Sequence, residues 1–266
     1  PIIRRLLQRL ETLQRSVQRF GEGDLSVRVS EQGQDEVADL ARQFNAAAAR
    51  IEALVKTHKS LLANASHELR SPLTRIRMGL ELMGGNQPSP AFREEILRNI
   101  AELDQLVDEI LLASRLDARE ADVGTVELVD LIGLAAEECA RVDAELDVTA
   151  VPEGLEVRGV AKLLRRALRN LLENARRYSQ GDITVVLQRH DGQAQVSVLD
   201  RGPGVPPALR ERIFEPFYRL PGASERAGGV GLGLALVRSI AQRHNGSVRC
   251  EDQPDGSGGA CFVLRL

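Results

Sequence analysis

The sequence predicts a multidomain chain in which two all-α segments, each built to form a dimeric coiled coil or four-helix bundle, precede an α/β sandwich. Between residues 3 and 110, apolar residues recur at alternating spacings of three and four. After Gly124, short β-rich runs alternate with helical patterns, which is typical of a mixed α/β layer. A length of 266 residues accommodates two or three domains of ordinary size.

Composition and charge exclude several classes of protein. With 43% hydrophobic residues, the chain can bury a core. Aromatic residues, at 3%, are too few for a platform on which bases stack, and a net charge of -3 argues against a nucleic-acid-binding protein. Three cysteines without a CxxC pair indicate a reducing compartment. No apolar run reaches the roughly 18 residues that a membrane span needs.

Two helices with narrow apolar seams open the chain. The first ends at GEGD, residues 21–24, and a short extended connector leads to a second helix after Gln34. Such narrow seams bury little in one copy, so they predict a homodimeric four-helix bundle over residues 1–55. The seams are Ile3, Leu6, Leu10, Leu13, Val17 and Phe20, then Val37, Leu40, Phe44, Ala47, Ile51 and Leu54.

Residues 56–120 predict a helical hairpin that also dimerises. A turn rich in glycine and proline, at 84–90, separates its two helices. Their apolar positions repeat the spacing of a coiled-coil seam. These positions are Leu62, Ser66, Leu69, Leu73, Ile76, Leu80 and Met83, followed by Ile96, Ile100, Leu103, Val107 and Ile110.

Residues 121–266 predict the α/β sandwich. We expect helices over 131–141, 161–178 and 232–243 and strands over 125–129, 146–151, 183–189, 195–199, 247–250 and 261–266. On the helix 161–178, Asn170, Asn174, Arg177 and Tyr178 share one face. Amide oxygens suit Mg²⁺ and a guanidinium suits phosphate, although an ordinary solvated face has the same pattern.

Two glycine-rich segments suggest a nucleotide site. Asp200 follows a predicted strand, and an ionised carboxylate there can accept the exocyclic amine of adenine. Gly202 and Gly204 would allow a close approach, although a plain Gly-Pro turn fits as well. The run GGVGLGL, residues 228–234, opens a helix whose amides can cradle phosphate. Its spacing matches neither the dinucleotide fingerprint nor a Walker A loop.

The segment SHELRSPL, residues 66–73, supplies a candidate nucleophile. A neutral imidazole attacks phosphorus well near pH 7, and the adjacent Glu68 can take or orient the other N–H of His67. We expect His67 to be half-exposed beside the seam. A surface histidine without function is the alternative.

Taken together in this order, five segments resemble the sensor histidine kinases. SHELRSPL resembles the phosphoacceptor box and NLLENARRY the N box, while DRGPGVP, FEPFYR and GGVGLGLA resemble the first glycine box, the F box and the second glycine box. The first 55 or so residues are similar to the HAMP signalling module. The resemblance implies a HAMP bundle, a phosphotransfer hairpin and a sandwich of the histidine-kinase ATPase type.

The resemblance also implies residue roles and partners. His67 would accept phosphate, Glu68 would be its base, and Ser71 would correspond to a phosphatase position that is usually Thr or Asn. Arg177 departs mildly from the family, which commonly has Lys there. The nucleotide ATP would be bound by Asn170, Asn174, Arg177, Tyr178, Asp200, Gly202, Gly204, Gly229, Gly231, Leu232 and Gly233, with Mg²⁺ on Asn174.

The sequence therefore predicts the cytoplasmic region of a membrane sensor, acting as a homodimeric, ATP-dependent autokinase. Its phosphohistidine would serve the receiver domain of a separate response regulator, and phosphatase activity toward that regulator is expected to be weak. The basic first helix suggests a transmembrane segment upstream of Pro1. Two rivals are an ATPase machine with the same nucleotide fold, which would not need SHELR, and a non-catalytic dimeric scaffold.

Overall fold

The computed structural model describes residues 2–82, 89–117, 124–179, 181–221, 230–256 and 258–266. The chain divides into two compact units, Pro1–Ala63 and Asn64–Leu266. The expected turn at 84–88, the seam position Met83 and Gly229 lie outside the described residues. Within the described ranges, no helix is both long and apolar enough to cross a bilayer.

The first unit consists of helix α1, Ile2–Gly21, the connector and the first part of α2, Glu36–Leu82. The side chain of Asn45 on α2 holds the connector, since it accepts from the amide of Val29 at 2.9 Å and donates to the carbonyl of Val29 at 2.8 Å. Phe20 and Phe44 pack edge to face with ring centroids 5.7 Å apart.

Much of the predicted seam of this unit is uncovered in one copy of the chain. Leu13 is buried, whereas Leu10, Val17 and Leu40 are exposed by 39–49%. A stripe of this kind on a soluble helix is a surface for another helix to cover.

The second unit begins with a helical hairpin made by the end of α2 and by α3, Pro90–Asp117. Arg75 joins the two helices, because its Nε donates to Asn99 Oδ1 at 2.7 Å and its Nη2 lies 2.7 Å from Glu102. The helix α2 continues through Pro72, whose missing N–H leaves the Glu68 carbonyl without its helical donor. The seam residues Leu62, Leu73, Leu80, Ile100 and Val107 are again exposed.

An antiparallel pair of strands and a five-stranded sheet form the rest of the second unit. The pair joins β1 to β3, and the larger sheet has the order β2-β4-β5-β7-β6, parallel only between β2 and β4. The strands are β1 Glu127–Asp130, β2 Glu145–Asp147, β3 Glu156–Gly159, β4 Thr184–His190, β5 Gln193–Leu199, β6 Ser247–Glu251 and β7 Cys261–Arg265.

Three helices complete the sandwich: α4 Leu131–Val142, α5 Ala161–Tyr178 and α6 Gly233–Arg243. Their apolar faces bury Leu171 and Leu236, while the sheet contributes Val185, Val198 and Phe262 to the core. The predicted order of helical segments followed by an α/β sheet is confirmed.

Two differences from the predicted elements have local causes. The strand β3 was not expected, because Glu156–Gly159 offers a single apolar residue among four. The strand predicted at 146–151 ends at Asp147, whose side chain accepts from the amide of Thr149 at 2.9 Å and starts a turn.

Candidate active site

A cavity lies at the junction of α5, α6 and the turn after β5, and α3 closes one side of it. Both polar and apolar groups line it, which suits a ligand with a flat base and a charged tail. Among the residues singled out in the sequence, those lining the cavity are Asn170, Asn174, Arg177, Tyr178, Asp200, Gly204, Gly231 and Gly233.

Asp200 is the buried acceptor of this cavity, with 3% of its surface exposed. Its Oδ1 accepts from the amides of Gly202 at 2.8 Å and Ala260 at 3.2 Å. Among the residues that the structure describes, both donors meet Oδ1, so Oδ2 is left as the acceptor for a ligand. Burial raises the pKa of the Asp200 carboxyl, and the two amide donors oppose that shift.

Two glycines permit backbone conformations that a side chain would strain. Gly204 has φ +73° and Gly231 has φ +80°. An added Cβ at Gly231 would also lie 2.9 Å from the backbone carbon of Phe217, whose amide donates to the carbonyl of Gly231 at 2.9 Å. Gly231 therefore fixes the wall of the cavity that leads into the start of α6.

The polar face of α5 contains residues in two different environments. Asn170 is 5% exposed and its Nδ2 donates to the carbonyl of Gly233 at 3.1 Å, so it fastens the first turn of α6 to α5. Asn174 and Tyr178 are half-buried in the cavity wall, and Arg177 is exposed. An ordinary solvated face does not describe Asn170, because that side chain is buried.

The residues present fit a magnesium ion that arrives with a polyphosphate. No cluster of three or more His, Cys, Asp or Glu side chains suited to a metal occurs in the described ranges. Mg²⁺ in nucleotide sites keeps several waters and takes only one or two protein ligands besides phosphate oxygens. The amide oxygen of Asn174, with Glu173 also at the cavity wall, meets that requirement.

His67, Glu68 and Ser71 lie on α2 and do not line the cavity. His67 is exposed, which is more than the half-exposure expected, and Ser71 is also exposed. Glu68 is half-buried and its Oε2 lies 3.2 Å from Nη2 of Arg219, which does line the cavity. This ion pair connects the helix of His67 to the edge of the cavity.

The remaining predicted residues lie apart from the cavity wall. Gly202 supports Asp200 through its amide, and a Cβ there would lie 2.7 Å from the carbonyl oxygen of Tyr178. Leu232 is 0% exposed and contributes to the core, which is the environment expected of a leucine at the start of a packed helix.

Sequence reasoning missed the contribution of α3. Leu106 is 2% exposed, and Glu109 accepts from Arg166 on α5 at 2.8 Å. Glu102, Gln105, Leu106 and Glu109 all line the cavity. The heptad pattern of α3 gave no sign of this, because the contact depends on how the hairpin packs against α5 and α6. The F-box segment contained Arg219, but nothing in the sequence paired it with Glu68.

Three family models match consecutive parts of the chain. A model described as the HAMP domain matches residues 2–53, and one described as the His Kinase A (phospho-acceptor) domain matches residues 57–119. A third, described as the histidine kinase-, DNA gyrase B-, and HSP90-like ATPase, matches residues 159–266. The phosphoacceptor model includes His67, and the ATPase model includes Asn174 and Asp200.

Named proteins with related sequences agree with these matches. Sensor protein RstB of Escherichia coli K12 is 36% identical over 256 residues, which cover 94% of this chain and 58% of RstB. Signal transduction histidine-protein kinase/phosphatase MprB of Mycobacterium sp. strain KMS is 34% identical over 251 residues, 88% of this chain and 48% of MprB. The chain thus spans about half the length of these relatives.

The fold has a solved counterpart. The structure of the Acinetobacter baumannii histidine kinase AdeS aligns with a TM-score of 0.62 and 22% identity, covering 75% of this chain and 96% of that one. At this identity the alignment shows the fold alone. Given the three consecutive family models, the relatives at 34–36% identity and this architecture, the chain belongs to the sensor histidine kinases.

Proposed function

We propose that this chain is an ATP-dependent protein-histidine kinase, which phosphorylates His67 and passes the phosphoryl group to an aspartate of a separate response regulator. The observation that carries the proposal is the ion pair between Glu68 and Arg219, because it brings the His67 helix to a cavity with nucleotide-binding chemistry. Neither an ATPase machine nor a non-catalytic scaffold requires that connection.

ATP is the nucleotide that this cavity suits best. The free Oδ2 of Asp200 would accept the exocyclic amine of adenine, which guanine cannot offer in the same place. The triphosphate would extend toward Arg177 and the first turn of α6, where backbone amides favour negative charge. Asn174 would hold Mg²⁺, which supplies charge neutralisation at the β- and γ-phosphates.

Transfer to His67 needs positioning more than acid–base chemistry. A neutral imidazole nitrogen forms a bond to the γ-phosphorus while the bond to the β,γ-bridging oxygen breaks, and ADP leaves. The carboxylate of Glu68 receives the proton from the other imidazole nitrogen. In the second step, an aspartate carboxylate of the regulator attacks the same phosphorus and the phosphorus–nitrogen bond breaks.

The exposed seams support a homodimer. Leu62, Leu73, Ile100 and Val107 form uncovered apolar positions on both helices of the hairpin. A second copy can cover them with the same surface, as a two-fold bundle requires. We propose residues 1–55 as the HAMP bundle, 56–120 as the dimerisation and phosphotransfer hairpin, and 121–266 as the catalytic domain.

A membrane location belongs to the same proposal. The match to a HAMP domain and the relationship to a sensor protein support a region on the cytoplasmic side of the inner or plasma membrane, linked to it through a segment upstream of Pro1.

Phosphatase activity toward the regulator is a second candidate function. It is favoured by the printed name of the relative MprB, a kinase/phosphatase, and by Ser71, which lies one helical turn after His67 and is exposed. A hydroxyl at this position can orient a water for in-line attack on a phosphoaspartate.

Incubation with γ-labelled ATP and Mg²⁺ tests the kinase proposal. The wild-type chain should acquire label that is stable in base and lost in acid, and His67→Gln should acquire none while ATP affinity stays the same, because His67 does not line the cavity. His190→Gln, which changes an exposed histidine at the end of β4, is the matched control and should label normally. Acid-labile label on His67→Gln would overturn the assignment.

A further inference from the structure

The segment between β6 and β7 holds the adenine-binding carboxylate in place. Asp200 comes directly after β5, where the chain leaves the sheet. Its amide still donates to the carbonyl of Ala260 at 3.0 Å, and Ala260 returns a hydrogen bond to Oδ1. The carbonyl of Asp200, in contrast, turns away from the ladder and accepts from the side-chain Nε2 of Gln253.

Gln253 has the properties of a built contact. It is 7% exposed, and its partner is a carbonyl, so the amide nitrogen must be the group that faces it. Gly259 lies close to the same carbonyl, where an added Cβ would collide with the oxygen of Asp200 and approach Nε2 of Gln253 to 3.0 Å. The space around this hydrogen bond is therefore shaped by a glycine to admit the glutamine.

The neighbouring residue in this segment supports the turn that follows Asp200. Asp252 lies 2.6 Å from Nη2 of Arg210, and the Nε of Arg210 donates to the carbonyl of Val205 at 3.0 Å. Val205 lines the cavity. The segment 252–253 thus supports the base-binding wall at two points, but only Gln253 contacts the residue that would bind adenine.

We propose that Gln253 is a positioning residue for adenine recognition. By fixing the carbonyl of Asp200 it sets the peptide plane, and with it the direction in which Oδ2 enters the cavity. Gln253 is not among the residues that line the cavity, so it acts through Asp200. The inference rests on the proposed function, in which Asp200 accepts the exocyclic amine.

Gln253→Met tests the proposal, because methionine keeps the shape of the side chain and removes the donor. Binding to the full chain is measured by calorimetry with ATP and with purine riboside triphosphate, which lacks the exocyclic amine. Leaving a buried carbonyl unpaired should weaken ATP binding about tenfold. Purine riboside triphosphate should lose about twofold or less, so the preference for ATP narrows about fivefold. The preference is a ratio for one protein sample, so partial unfolding cancels from it.

Gln195→Met is the matched control. Gln195 is also buried, at 6% exposure, and bonded through both ends of its amide, to Ser197 and Arg265, but it is not a cavity residue. It should leave the preference unchanged. Gln253→His, which keeps an N–H donor, should retain more of the preference than Gln253→Met.

Asp200→Asn separates the two ways of failing. If Asp200→Asn retains the wild-type preference for ATP, the adenine assignment itself is wrong. If Asp200→Asn loses the preference while Gln253→Met keeps it, or loses both nucleotides equally, Gln253 has no part in positioning and the inference is overturned.

Discussion

Arg219 and Glu68 form an ion pair across 3.2 Å, although 151 positions separate them in the chain. Arg219 belongs to the cavity wall, and Glu68 is next to His67 on α2. Each side chain is 35% exposed, so the pair contributes at most about 1 kcal/mol. Its value is geometric, since it brings the proposed base within reach of the nucleotide site.

A double-mutant cycle measures whether this contact serves phosphorylation. Glu68→Gln and Arg219→Gln should each lower the initial rate of autophosphorylation, with about a fivefold loss for Arg219→Gln, as expected for an interaction near 1 kcal/mol. The double variant should be no slower than the slower single variant, because both changes remove the same contact.

The control for this cycle is Arg238→Gln. Arg238 pairs with Glu211 at 2.8 Å on the surface and does not line the cavity. It should leave the rate unchanged. Rate losses for Glu68→Gln and Arg219→Gln that simply multiply would show that the two residues act independently.

Gly231→Ala should abolish measurable ATP binding by closing the cavity wall. The methyl group would meet the backbone of Phe217 at 2.9 Å, in addition to the strain of a positive φ. Gly192→Ala isolates the strain, because Gly192 has φ +81° and open space around it. That variant should lose about 1 kcal/mol of stability and no ATP affinity. Equal ATP affinities of the two variants would contradict the role of Gly231.

Glu138 predicts an acid-dependent part of the stability of the sandwich. It is 2% exposed and accepts from Nε and Nη2 of Arg169, both at 2.8 Å. These hydrogen bonds lower the pKa of the Glu138 carboxyl, against the effect of burial. The folded pKa is below the unfolded one, so the stabilisation is present above the ordinary value of 4.5 and is lost as the pH falls through the folded pKa.

Glu138→Gln should therefore lower the free energy of unfolding by about 3 kcal/mol at pH 7, as for a broken buried ion pair. The gap to wild type should shrink as the pH is lowered below 4.5. Urea denaturation at several pH values measures both effects. Glu137→Gln is the control, since Glu137 also bonds to Arg165 but is 64% exposed, and it should change stability by less than about 1 kcal/mol. A gap independent of pH would refute the linkage.

The uncovered seam of the hairpin predicts a dimer that a single charge weakens. Leu73 is 54% exposed in one copy, and burying it against its counterpart would contribute about 2 kcal/mol. Leu73→Glu should raise the dimer dissociation constant by about tenfold or more, measured by analytical ultracentrifugation of the full chain. Leu97 is similarly exposed, at 64%, but is off the predicted seam, so Leu97→Glu should have little effect. A wild-type monomer at micromolar concentration would contradict the dimer.

The elements that could be predicted from the sequence are those with a strong local signal. The bounds of α5 agree with those expected, because its apolar period and polar face are both clear. The second and third helical segments prove to be one helix, α2, since no glycine or proline interrupts residues 55–61. Chemistry-bearing residues near one another in sequence, such as Gly202 and Gly204, could be assigned to one turn.

Contacts between distant segments could not be predicted. The amide of Gln253 on Asp200 depends on the register of β5 against β7, and a glutamine after a strand has no distinctive pattern. The acidic residues of α3 at the cavity read as an ordinary solvated face of a coiled coil. Asn170 was grouped with Asn174 by helical spacing, and only the packing of α6 shows that Asn170 is held by Gly233.

Ser71 allows a direct test of the phosphatase proposal. It is exposed on α2, one turn after His67, so its hydroxyl is available beside the phosphoacceptor face. Serine has the hydroxyl needed to orient a water but lacks the β-methyl group that restricts χ1 of threonine. Ser71→Ala should therefore slow dephosphorylation of the phosphorylated regulator about tenfold or more while autophosphorylation is unchanged, and Ser71→Thr should accelerate dephosphorylation. Thr74→Ala is the matched control, because the hydroxyl of Thr74 already donates to the carbonyl of Arg70 at 2.8 Å. Release of inorganic phosphate from the purified phospho-regulator, in the presence of ADP, gives the rate. A rate for Ser71→Ala equal to that of Thr74→Ala would show that Ser71 takes no part in the reaction.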